Sequence, residues 1–127
     1  MKEKEIEIFR KLNGQLEGLY DEVSALSKKT PTDAINKFKL KFVNQLLLEI
    51  NALLNDEYKP FTEFIKFEED DLPTNSDVVL MLSQYLNCME KLRDDNIALD
   101  DEGDWCWVIN KKISDIQTSP PKKIRRR

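Results

Sequence analysis

The sequence predicts an all-α fold: a small helical bundle of three long helices plus one short helix, with room for a short C-terminal β-hairpin and a disordered basic tail. Three observations lead there. Apolar residues recur at spacings of three and four over three long stretches, a period that gathers them on one side of a helix. Glycine and proline are scarce, at 3 and 5 in 127 residues, which disfavours a turn-rich all-β chain. The length suits one domain with one core, and 40% apolar content is enough to fill it.

The first helix is expected over 3–29. Phe9, Leu12, Leu16, Leu19, Val23 and Leu26 follow one another at 3, 4, 3, 4 and 3, a heptad seam. Fewer than four heptads favour a helix of a bundle over a free coiled coil. Gly14 and Gly18 lie off the seam, so they read as a tolerated weak point or as a shallow groove where a second helix approaches. That groove would admit a homo-oligomer through the first helix. Thr30 then looks like an N-cap, with Pro31 at the first position of a second helix running to about 57. Its apolar stripe is broad, from Ile35 and Phe38 through Phe42, Val43, Leu46, Leu47 and Ile50 to Leu54. Such breadth means contact with neighbours on more than one side.

After Pro60, residues 61–67 read as the short helix, with Phe61, Phe64, Ile65 and Phe67 to one side. Glu68, Glu69, Asp70 and Asp71 repel one another and make the next stretch a loop. Thr74 or Ser76 should cap a third long helix over 76–97, whose stripe is Val78, Leu82, Tyr85, Met89 and Leu92. An acidic loop from Asp100 to Asp104 follows. Trp105 to Ile109 then alternates like a strand, and Asn110 with Lys111 can turn it back as a hairpin. Residues 1–117 are therefore read as one domain and 118–127 as the disordered basic tail.

Composition narrows the chemistry. With no histidine, Ser-His-Asp, Cys-His and imidazole-metal sites are excluded. Three glycines leave no material for a phosphate loop or a dinucleotide fingerprint. Asp100, Glu102 and Asp104 match the start of a calcium loop. Trp105 and Lys111 then stand where glycine and a bidentate acid belong. Asp33 with Glu57, Tyr58 and Lys59 has the letters of a nuclease centre, but on helix ends instead of strands. No catalytic residue, metal or cofactor is expected. Cys88 and Cys106 read as buried reduced thiols. With no apolar segment behind the charged start, and no apolar run near the roughly 18 residues of a membrane span, a cytoplasmic, non-membrane chain is expected.

What remains is binding. The expectation is a non-enzymatic module that docks a larger protein as an accessory, regulatory or inhibitory subunit. Aromatic residues beside acidic loops are the candidate anchors: Phe64 near 68–71, and Trp105 and Trp107 near Asp100 and Asp101. The runner-up is a nucleic-acid-associated protein held by its tail, and a small enzyme without histidine chemistry comes a distant third. The chain has 20 basic and 24 acidic residues, and five of the basic ones are Lys122, Lys123, Arg125, Arg126 and Arg127. Without them 15 remain against 24, a body of −9. Such a tail would give weak, salt-sensitive contact with phosphates or an acidic partner.

Overall fold

The structure, a computed structural model, describes residues 1–122. Three long α-helices, α1 (Glu3–Lys29), α2 (Lys37–Tyr58) and α3 (Asn75–Asp94), are followed by strands β1 (Ile97–Leu99), β2 (Trp105–Ile109) and β3 (Lys112–Gln117). The strands form an antiparallel sheet in the order β1-β2-β3. The fold is thus mixed α/β, and the all-α bundle of three long helices plus a short one is corrected on two counts. A three-stranded sheet replaces the marginal hairpin, and the short fourth helix does not form.

The missing helix has a local cause. Lys59 precedes proline, and its backbone is extended at φ −63° and ψ 146°. Beyond it the chain stays irregular as far as a single 3₁₀ turn, Glu69–Asp71. The residues of 61–67 are mainly aromatic, β-branched or short and polar, types that give up rotamer freedom or compete with the backbone in a helix.

α2 begins later than expected. Thr30 closes α1, its N–H donating to the Leu26 carbonyl at 2.9 Å, and Asn36 is the true N-cap, its side chain accepting from Lys39. Residues 31–35 serve α3 instead. The carbonyls of Asp33 and Pro31 accept from the N–H groups of Asn75 and Ser76, at 2.9 and 3.1 Å, satisfying donors that a helix start leaves orphaned. Thr74 caps α3 in a reciprocal box with Asp77.

α3 ends at Asp94, three residues short of the expected boundary. Asn96 stops it: its side-chain amide donates to the Leu92 carbonyl at 2.7 Å, while its own carbonyl takes the Val108 N–H at 2.7 Å. The acidic stretch after β1 becomes a hairpin loop, with Gly103 at φ +85° supplying the left-handed turn. Asn110 and Lys111 both have positive φ, the geometry of a two-residue hairpin turn that matches strand twist. A bulge then sets residues 114–116 of β3 opposite Trp107 alone. One core runs through the molecule, from Phe9 and Leu16 of α1 through Leu47 of α2 and Leu82 of α3 to Ile97 and Trp107 of the sheet. Among the described residues, no helix is long and apolar enough to cross a membrane.

Candidate functional site

The two tryptophans part company. Trp107 is 1% exposed and meets Phe9 edge-on, with ring centroids 5.2 Å apart, so it belongs to the core. Trp105, half-buried, packs against the edge of that core. Asp100 and Asp101 lie in the β1–β2 loop, and Asp100 is spent on that loop. Its carboxylate accepts from the N–H groups of Asp104 and Glu102, both at 2.9 Å, and from the Cys106 thiol at 3.7 Å. Those donors, the Asp104 N–H first, hold its pKa below the usual carboxylate value. Burial and the Asp100 charge push the Cys106 thiol up, and burial does the same to Cys88, so both stay protonated and poorly nucleophilic. No cluster of three acidic or cysteine side chains among the described residues could hold a metal ion.

Of the tail residues, Lys122 is described, and its backbone N–H donates to Glu90 at 2.7 Å. Lys123, Arg125, Arg126 and Arg127, the rest of the expected basic contact, lie outside the described residues. Ahead of Lys122, Arg93 gathers the chain. Only 5% exposed, its guanidinium donates twice to Glu90, at 2.8 and 2.9 Å. It also donates to Thr118 Oγ1 and to the carbonyls of Ser119 and Pro120, at 3.0, 2.7 and 2.8 Å.

Phe64 sits in the surface with the most distinctive construction, the connection between α2 and α3. Asn44 and Asn51, seven apart and so on one flank of α2, grip it with their amides. Asn44 takes both backbone groups of Phe67, donating to its carbonyl and accepting its N–H, each at 2.9 Å. Asn51 donates to the Ile65 carbonyl at 3.0 Å and accepts from the Tyr85 hydroxyl at 2.7 Å. Side-chain amides thus stand in for a neighbouring strand. Phe64 and Phe67 pack edge-to-face at 5.1 Å with Phe64 turned towards Tyr85, while Phe61, Ile65 and Leu72 face solvent. Leu72 is left-handed at φ +49°, a conformation that costs a non-glycine residue on the order of 1 kcal/mol. Glu68, Glu69, Asp70 and Asp71 run beside these apolar groups, with Glu69 paired to Lys37 at 3.3 Å.

Sequence reasoning singled out the phenylalanines and the acidic run but not the asparagines or Arg93. The signals were present, two asparagines seven apart on an apolar helix and a Glu-x-x-Arg at a helix end. Neither shows its partner until the chain is folded. A second apolar feature lies between α1 and α2, a cleft of about 470 Å³ lined by Gly18, Leu19, Phe42 and Leu46 and edged by Glu22 and Glu49. Set against family models, curated proteins and solved structures, the chain matches none significantly.

Proposed function

We propose that this protein is a non-enzymatic interaction module that docks a larger protein through the α2–α3 connection. One observation carries the reading: Phe61, Ile65 and Leu72 are exposed to solvent on a segment whose backbone Asn44 and Asn51 hydrogen-bond at Phe67 and Ile65. A surface ordered before binding loses less entropy when a partner arrives. Strain at an exposed leucine persists only where its surroundings enforce it, and such sites gather at binding surfaces. The adjoining carboxylates select the partner's chemistry, a basic amphipathic segment whose cations meet 68–71 while its apolar side covers Ile65 and Leu72.

The test is affinity capture from host lysate treated with nuclease, comparing the wild type with Ile65→Asp and Leu72→Asp. Both positions are exposed, so melting temperatures should stay within a few degrees. A stoichiometric protein captured by the wild type and lost from both variants is the expected outcome. Capture unaffected by either change would remove the connection from the binding surface. Recovery of nucleic acid alone, before nuclease, would favour the tail-anchored reading.

A further inference from the structure

The apolar residues of α2 run round more of the helix than its own fold uses. Leu40, Val43, Leu47, Ile50 and Leu54 are buried in the core. Phe38, Phe42 and Leu48 lie on the opposite side, 68%, 44% and 48% exposed, and the two phenyl rings meet edge-to-face at 5.0 Å. Lys41, Gln45, Glu49 and Ala52 complete this outer face, all exposed. Lys41 and Glu49 are absent from the ion pairs among the described residues.

The order of residues on this face is symmetric about Gln45. Lys41 stands four residues before it and Glu49 four after, Phe42 three before and Leu48 three after, Phe38 seven before and Ala52 seven after. In an antiparallel pair of identical helices, residues equally spaced on either side of a two-fold axis share a layer. We infer that this face binds a second copy of the chain, α2 against α2 and antiparallel, with the two-fold axis at Gln45.

That arrangement places Lys41 of each copy in a layer with Glu49 of the other, so opposite charges meet at both ends of the interface. Phe38, the most exposed of the phenyl rings at 68%, shares its layer with Ala52, which leaves room for it. Phe42 and Leu48 cover the flanks, and the two Gln45 amides can hydrogen-bond across the axis. A parallel pair in register would set Lys41 against Lys41 and Glu49 against Glu49, and like charges in contact oppose it. The face spans 14 residue steps, about 21 Å of helix. This is short of the roughly 800 Å² per partner of a standard stable interface, so association should be in the micromolar range. The face borders the α2–α3 connection at Leu48, between Asn44 and Asn51, but does not depend on the function proposed above.

The test is sedimentation equilibrium on the whole chain from about micromolar to about millimolar concentration. The wild type should rise from one to two monomer masses. F42D should remain a monomer, with its helical circular dichroism and melting temperature showing that it is folded. K41E and E49K should each weaken the dimer about tenfold or more. An equimolar mixture of the two should restore it, because that pairing sets opposite charges together in both outer layers. A wild type that stays monomeric throughout would overturn the inference, as would a dimer indifferent to F42D. A mixture no tighter than its components would reject the antiparallel register. Protein capture through Ile65 and Leu72 can survive any of these results, so the failure of one proposal is distinguishable from that of the other.

Discussion

The indole of Trp107 packs into the crossing of α1 with the sheet, and a ring of this size removes about 150–250 Å² from water. Trp107→Ala should therefore cost about 3–5 kcal/mol, read as a lower urea midpoint. A change below about 1 kcal/mol would mean the ring is not core. Tyr58 makes a different prediction. Its hydroxyl donates to Asp95 at 2.7 Å, which pushes the phenol's pKa up to about 12 and, together with Lys91, holds the Asp95 carboxyl below its usual value. A raised folded-state pKa stabilises below the unfolded value and loses that contribution as pH climbs through it, so Tyr58 should help to erode stability between about pH 10 and 12. For Asp95 the sign reverses, and its contribution is present above the unfolded carboxylate value and lost as pH falls below it. Tyr58→Phe should flatten both limbs of a stability-pH profile, because the phenol is gone and the Asp95 carboxyl moves back towards its usual value. An unchanged profile at both ends would mean that the pair does not form in solution.

At the scale of elements, α1 and α3 could be read from period alone, because each buries one stripe against one core. Their stripes, Phe9 to Val23 and Val78 to Leu92, are largely the buried residues observed. The start of α2 could not be read this way. Thr30 followed by Pro31 has the letters of an N-cap, but the Thr30 N–H was already taken by Leu26, a contact of the preceding helix. β1 is three residues long, too short for a period of its own, and it declares itself only by pairing with β2. The connection from 61 to 72 was legible as a surface of aromatic and acidic residues but not as irregular backbone, since its order comes from amides two turns apart on another element. In α1, Gly14 and Gly18 have nothing within 4 Å of where a Cβ would stand. Each change to alanine should raise stability by about 0.5–1 kcal/mol, additively, in chemical denaturation. A loss would show that the helix bends or is covered there.

Across the whole molecule, the two ends of the described chain are fastened to its middle and to each other. Arg93 and Glu90 hold 118–120 against α3, and Arg10 of α1 donates to the Gln117 carbonyl at 3.1 Å. Truncating one member of a buried charge pair leaves the other uncompensated, so Arg93→Ala should cost about 3–5 kcal/mol. It should also speed amide exchange in β3 beyond that in α1, whereas uniform acceleration would show that Arg93 does not act as a local clasp. The union of α1 with the sheet also bears on how the chain is made. Phe9 is synthesised long before Trp107, and the Met1 amino group, which donates to the Val108 carbonyl at 3.3 Å, longer still before its acceptor. While the polypeptide emerges from a ribosome, α1 and α3 can pair, but the sheet side of α1 stays uncovered until the last strand is free. The nascent protein must therefore pass through a sticky, unfinished stage that lasts until the sheet has left the ribosome, which makes its yield sensitive to whatever shields that helix in the meantime.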